Sequence, residues 1–394
     1  MATPAQPHIC VLCVAHELDD KRVYWKEVRS ILDQGYRVTF VGRAPKTGVY
    51  PEPHSALEII EMPLREVKLL KRLVQEFFLM FRYWKMTRGI HCDIIHCHEP
   101  QSVLVALFAG KAKSAKVVYD CHEYQPESFA GFFGRLRPLM LGFFNKLEWW
   151  YSRRVHGIVT VNQELVGRYE QVNSRVVLLP NYPVARGAVA VQAAVPDLPA
   201  PRFIYQGGCS QSRGLLTCID FIKLFHDAEI PATLQIVGPA SEFGIHDLLK
   251  RHVASLGLAS FVQIEESVSE EELWLRMTDA DFGLFFPDPN EWRYVQEYVV
   301  PIKFFDYAQA GLPVIFSDVP GLRRIVSKVG NGLLVDYMDY TSGVSQVLEA
   351  WQDPSKMEAM RKNGIEAIEN ELSWDAAVNG LFTLYESLLS AEKA

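Results

Sequence analysis

The chain has 394 residues, 49% of them hydrophobic and 22% charged, with a formal net charge of −7. That balance belongs to a globular protein and excludes a disordered polyelectrolyte, and its sign excludes a general nucleic-acid binder, whose footprint is basic. The length exceeds what one core holds and predicts two domains.

The first residues, MATPAQP, have no basic n-region and lead straight into the strand-like run HICVLCVAH, so no signal peptide is expected. RVTFVGR, DIIHCHE, KVVYDCHE, GIVTVN and RVVLLPN follow as further short runs rich in Val and Ile. Helical periods lie between several of them, such as Val23 to Leu32 and Gln101 to Ala112. Strands alternating with helices predict a parallel sheet covered on both faces. Val184 to Ala200 is nearly uncharged, rich in Ala, Val and Pro, and reads as an interdomain connector. Beyond it RFIYQGG, ATLQIVG, FVQIEE, DFGLFF and LPVIFSD repeat the alternation, with helices near Leu215–Phe225, His246–Leu256, Glu270–Met277 and Ile302–Ala310. Two such halves place a ligand where the carboxyl ends of both sheets face each other. From Trp374 to Ala391, apolar residues recur at amphipathic helical spacing.

Two segments of the second half carry chemistry. After RFIYQ come Gly207 and Gly208, then CSQSRGL and a helical run. Paired glycines let the backbone approach a ligand, the helix start offers unpaired N–H groups, and Arg213 adds a donor fork matched to phosphate. The alternative is an ordinary strand-to-helix turn with a solvated arginine. Further on, Pro301 to Asp318 reads PIKFFDYAQAGLPVIFSD: a helix stopped by Gly311, then a buried strand. Lys303 and Asp306, three apart, share one helical face, and a cation beside a carboxylate suits a phosphate and a ribose. The alternative for Asp306 is a plain surface acid.

PIKFFDYAQAGLPVIFSD resembles the donor-site signature of the retaining glycosyltransferases of family 4, the two-Rossmann (GT-B) group, and the likeness extends over nearly the whole chain. The resemblance implies an α/β fold of two Rossmann-like domains facing each other across a cleft, the C-terminal helix crossing back to the first. The expected boundaries are 1–183 for the acceptor domain, 184–200 for the linker, 201–373 for the nucleotide-sugar domain and 374–394 for the returning helix. In the family an E-x(7)-E pattern marks the donor site. Asp306 matches its second carboxylate, one methylene shorter, while Glu297 sits one position off the first. Gly207, Gly208, Arg213, Lys303 and the loop after Gly238 complete the implied donor site.

DIIHCHEP and VVYDCHEY bring histidines to the ends of two strands, and His96 and His98 share a face because alternate strand residues do. With Cys92 and Cys97 they resemble metal ligands, but no second cluster with tight spacing completes a tetrahedral set, so no metal is expected. Seven cysteines, an odd number in apolar contexts, fit a reducing cytoplasm. By resemblance His122 contacts the donor sugar near the reacting centre, as a hydrogen-bond donor rather than a base; the alternative is a satisfied core histidine. Glu123, His98 and Glu99 are acceptor-side expectations, with Asp20 and Arg22 in the first loop, where the family's usual Gly-Gly is missing.

Glu66 to Arg88 mixes bases with aromatics, placing Phe81 and Trp84 on one helical face and Tyr83 among the bases. Ser128 to Arg154 repeats the mixture with Phe132, Phe133, Trp149 and Trp150. Such composition favours an anionic membrane interface, against the alternative of core helices with a basic outer side. The expected activity is therefore transfer of a sugar from a nucleotide-diphosphate sugar to a hydroxyl of a glycan or lipid-linked glycan, with retention. It would serve cell-surface polysaccharide or glycoconjugate synthesis, cytoplasmic and peripheral on the inner membrane face, and independent of metal. The rivals are a sugar-nucleotide hydrolase or epimerase on this fold, and a noncatalytic assembly partner. A nicotinamide dehydrogenase is excluded because the first strand ends in AHELDDKRV, without a G-x-G-x-x-G turn.

Overall fold

The computed structural model describes residues 6–45, 48–62, 80–111, 114–186, 199–287 and 300–390. Glu297, residues 187–198 of the expected linker and most of the basic stretch after Glu66 lie outside the described residues. The chain divides into two compact units, one of Met1–Asn181 with Ala377–Ala394, the other of Tyr182–Ala376. Each is built on a parallel sheet, so the expected α/β class with two parallel-sheet domains holds.

In the first unit the strands are β1 (His8–Glu17), β2 (Arg37–Arg43), β3 (Leu57–Met62), β4 (Ile94–His98), β5 (Lys116–Cys121), β6 (Gly157–Thr160) and β7 (Val176–Leu178). Their order is β3-β2-β1-β4-β5-β6-β7. Ile94–His98 is buried at every position, as a strand covered on both faces must be. The chain leaves β1 in one direction and returns to its other side at β4, so the crevice beyond the carboxyl ends of these two strands is the topological switch point. After β1 a wide π-type turn, Val23–Val28, opens the helix that continues through Arg29–Asp33, and it turns Glu27 inward beside Tyr24 and Val28. Helix Asn379–Ser390 buries Leu381, Leu384, Tyr385 and Leu388 on this unit.

The expected faces of the basic stretch hold only in part among the residues described: Trp84 packs against the core, as Phe81 beside it on that face does not. Residues 80–87 are helical, but Tyr83 and Thr87 are buried while Phe81 is exposed. The inward stripe passes through Tyr83 because that ring fills the core beneath β1 and β4, a choice made by packing rather than by hydropathy.

The second unit holds β8 (Arg202–Gln206), β9 (Thr233–Val237), β10 (Val262–Glu265), β11 (Phe282–Phe285), β12 (Val314–Ser317) and β13 (Gly332–Val335), in the order β10-β9-β8-β11-β12-β13. Its switch point lies between β8 and β11. Helices Leu215–Asp227, Ile245–Ser255, Glu270–Asp279 and Ile302–Gln309 follow the strands where the periodicity places them. Helices Pro320–Val329, Thr341–Trp351 and Pro354–Asn370 add layers that the reading of the sequence left unassigned.

Candidate active site

At the carboxyl end of β8 the chain enters Gly207, with φ +115°, and Gly208. Beside it, at the end of β9, a Cβ on Gly238 would lie 2.1 Å from the Gly207 carbonyl oxygen, so these two turns pack backbone to backbone. The next turn, Gln211–Arg213, runs into helix Leu215–Asp227 through Gly214. Gly214 has φ +70°, and a Cβ there would fall 1.5 Å from the Phe286 carbonyl oxygen. No other residue fits, and the contact locks the start of this helix against the end of β11.

Lys303 lies under this loop. It is only 4% exposed; its Nζ donates to the Tyr205 hydroxyl at 3.0 Å and sits 4.2 Å from the centres of both the Tyr205 and Phe285 rings. Burial, then the neighbouring Arg213 charge, push its pKa down to about 7. Arg213 also reaches the Tyr205 hydroxyl. Asp306 Oδ2 accepts a hydrogen bond from Gln206 Nε2 at 2.7 Å, which aims the carboxylate at the end of β8. The structure thus brings Gly207, Gly208, Gly238, Arg213, Lys303 and Asp306 together. Two cations, a glycine turn and a helix start make an anion site, and a carboxylate oriented by an amide adds a hydroxyl acceptor.

The chemistry of the first unit gathers at its own switch point. Arg22 is 6% exposed rather than open to an acceptor as expected. Its guanidinium donates to the Leu179 carbonyl at 3.1 Å, to Asp120 Oδ2 at 3.2 Å and to His122 Nε2 at 3.3 Å, and it pairs with Glu27 Oε1 at 3.0 Å. His98, another acceptor-side expectation, is fully buried, with Nδ1 3.1 Å from His122 Nε2. His96 Nδ1 contacts the Tyr385 hydroxyl at 2.5 Å. His122 follows β5 and keeps 16% of its side chain exposed.

Glu27, His96, His98 and Asp120 bring four ligand-type atoms within 4.8 Å of one another. A tetrahedral metal site would want such atoms, yet the Arg22 guanidinium already rests on both carboxylates, so the compensating positive charge is built into the chain. Burial, then the nearby Asp120 charge, push the Glu27 carboxyl well above its usual range. Burial opposes the Asp120 charge as well, but the Arg22 guanidinium outweighs it and holds Asp120 well below the usual range. The cluster is therefore an Arg22–Asp120 ion pair beside a Glu27 whose charged form burial disfavours.

Toward the surface, His16 at the end of β1 bonds Asp20 Oδ2 through Nδ1 at 3.0 Å and pairs with Glu99 Oε1 through Nε2 at 2.7 Å. Burial disfavours its charge, but the hydrogen bonds to Asp20 and Glu99 outweigh that and raise its pKa to about 10. Asp20 Oδ1 also accepts the backbone N–H groups of Arg22 and Val23, at 2.8 and 2.9 Å, so it caps the turn as well as facing the crevice. Glu99 holds φ +66° at the start of helix Glu99–Lys111, a strained backbone of the kind that clusters at functional sites. Glu123 is exposed and accepts from Ser128 Oγ at 3.1 Å. His16, Glu27, Asp120, Gln206 and Gly214 were not singled out in the sequence. The available signals were a charge inside the apolar run KVVYDC and a histidine closing the first strand.

Family models match both halves: Glycosyltransferase Family 4 over residues 22–182 and Glycosyl transferases group 1 over residues 200–353. No curated protein matches the chain. Among solved structures, sucrose-phosphate synthase from Thermosynechococcus elongatus is similar at TM-score 0.71 and 17% identity, covering 98% of this chain and 100% of its own. A glycosyltransferase from Rickettsia africae is similar at TM-score 0.68 and 12% identity, over 98% and 99%. Anabaena HepE, solved with UDP and glucose, is similar at TM-score 0.67 and 15% identity, over 97% and 100%.

Proposed function

Because the chain belongs to the glycosyltransferases of family 4 and group 1, we propose that it moves a sugar from a nucleotide-diphosphate sugar to a glycan or lipid-linked hydroxyl, retaining the anomeric configuration. One observation carries the reading: a buried lysine and an arginine converge under the glycine turn of the second unit, beside a carboxylate aimed by Gln206. Departure of a nucleoside diphosphate develops negative charge on the phosphate, and preorganised cations in a dry site stabilise that charge most. Arg213 and Lys303 hold the diphosphate in this scheme and Asp306 accepts from the ribose hydroxyls. Fixed cations do the work that a metal does elsewhere, so the transfer is metal-independent. His122 contributes an N–H to the transferred sugar, and transfer follows a front-face route assisted by the leaving phosphate. That HepE is solved with UDP-glucose supports a nucleotide-sugar donor.

A lipid-linked acceptor is favoured by the surface of the first unit. Phe132 is 83% and Leu139 71% exposed, with Phe133, Leu136 and Phe143 exposed beside them. Arg135, Arg137 and Lys146 stand among these side chains. The aromatic group continues through Phe144 and Phe129 into an apolar cavity of about 160 Å³ lined also by Met80, Leu104, Leu147 and Tyr151. An exposed apolar patch mixed with bases suits an anionic bilayer, and the reading places the protein on the inner membrane face in cell-surface glycan synthesis.

A panel of nucleotide sugars screened for thermal stabilisation tests the proposal. A true donor at a hundred times its dissociation constant adds about 2.7 kcal/mol, Asp306→Ala abolishes the shift, and Lys303→Met reduces it. Nucleotide released equally fast without acceptor would favour a hydrolase, and no binding of any nucleotide sugar by calorimetry would favour a noncatalytic partner.

A further inference from the structure

Arg22 offers hydrogen bonds from a group that neither accepts one nor gives up its proton. Its position is set independently of His122: NH1 is held by the Leu179 carbonyl and NH2 by Asp120. In that setting Nε–H points at His122 Nε2, while Glu27 Oε1, though 3.0 Å from Nε, receives no hydrogen bond. His98 Nδ1 approaches the same Nε2 at 3.1 Å, closer than the 3.5 Å that separates it from Asp120 Oδ2. An imidazole nitrogen that faces a guanidinium N–H must present its lone pair. In a neutral ring the proton is then on the other nitrogen.

We propose that Arg22 is a positioning residue that fixes the tautomer of His122, with Nε2 as acceptor inside the cluster and Nδ1–H as the donor offered to the transferred sugar. The inference rests on the reading of His122 given above and deepens it. An imidazole fixed this way donates to a hydroxyl or to oxygen gaining negative charge, and is not a general base at that nitrogen. Asp120 supports the arrangement by holding the guanidinium, not by taking the imidazole proton. His98 packs beside it, with Nδ1 3.1 Å from His122 Nε2. Its own Nε2 lies 3.4 Å from Glu27 Oε2, the carboxyl whose charge burial disfavours.

Long-range nitrogen–proton correlation spectra of the full-length protein labelled at histidine test this directly, with the His122 signals assigned from their loss in His122→Asn. The expected spectrum shows Nδ1 protonated and Nε2 unprotonated. Arg22→Lys keeps the charge but lacks the Nε–H, so the ring becomes free to donate from Nε2 to Asp120. The expected readout is a shifted or averaged tautomer and a kcat lowered about 100-fold or more, the scale of one misplaced donor at developing charge, with the donor KM unchanged. A wild-type spectrum with Nε2 protonated overturns the proposal, and this measurement stands even where the Arg22 variant does not fold. An Arg22→Lys spectrum identical to wild type also overturns it. Full activity in His122→Asn, with the wild-type tautomer as stated, overturns the role given to His122 and leaves the tautomer assignment intact, so the two failures separate.

Discussion

A lysine whose ammonium is buried beside an arginine holds its proton weakly, and Lys303 is pushed down to about 7. A bound diphosphate favours the charged form and raises that pKa. Donor affinity is therefore full below about pH 7 and falls as pH rises above it, by at most about tenfold per unit for one linked proton. Calorimetry across pH should show that slope in the wild type and lose it in Lys303→Met. The methionine variant keeps its fold, since it buries a similar volume without a charge, while kcat falls about 10²–10³-fold. His16 and Asp20 form the opposite case. His16 is raised from 6.5 to about 10, so its contribution to stability is complete below pH 6.5 and is lost as pH rises through 10. Asp20 is lowered from 3.8 to about 2, so its contribution is complete above pH 3.8 and is lost as pH falls through 2. Melting temperatures measured against pH should show a plateau between those limits. His16→Gln should flatten the alkaline limb; an unchanged limb in that variant would rule out the pairing. Several of these residues were visible in the sequence: Arg213, Lys303 and Asp306 stand in a pattern with local meaning. Arg22 was visible too, but its direction was not, because a guanidinium beside two acids in the chain gives no hint that a third acid, Asp120, waits ninety-eight positions later.

At the scale of elements, Gly214 joins a turn, a helix and a strand end. Four other glycines of the second unit share its left-handed backbone, and two of them, Gly244 at φ +72° and Gly257 at φ +73°, have nothing within 4 Å of where a Cβ would go. Gly244→Ala should cost about 1 kcal/mol, the backbone penalty alone. Gly214→Ala meets the Phe286 carbonyl as well, and should cost at least ~3 kcal/mol and abolish donor binding by displacing Arg213. Urea unfolding of the two variants checks the difference; equal losses would show that the helix start can shift freely. Strands such as Phe282–Phe285 and Val314–Ser317 were legible because a short, nearly continuous apolar run has one natural place, between two layers of helices. Leu57–Met62 was missed, being a sheet-edge strand with only one of its six residues buried, and so was four-residue Gly332–Val335, too short to show a period. Helix 80–87 turns Tyr83 and Trp84 inward and Phe81 outward, which hydropathy alone did not resolve because amphipathic stripes in a chain rich in both aromatics and bases have two plausible inner faces.

For the whole molecule, a net charge of −7 makes binding to an anionic bilayer a local property rather than a global one. Among the described residues no helix is long and apolar enough to cross a membrane. The patch from Phe132 to Lys146 should therefore hold the protein to anionic vesicles reversibly, with each base near the surface adding about 1 kcal/mol. Co-sedimentation should weaken with salt, and should fall in a Leu139→Ser, Phe143→Ser variant whose melting temperature is unchanged; binding indifferent to both would remove the membrane from the account. Alternating hydrophobicity, two glycine turns and one helix with a lysine and an aspartate were enough, by sequence alone, to indicate two parallel α/β domains and to single out Arg213, Lys303 and Asp306, which the structure brings together. Those signals are local: period, turn chemistry and spacing act over a few residues, within reach of a linear reading. Tertiary structure alone decided that Arg22, Glu27, His98 and Asp120 form one buried cluster around His122, and that Gln206 aims Asp306. Those contacts join residues up to a hundred positions apart, and their energies come from desolvation and charge pairing that exist only once the sheet has brought its strand ends together.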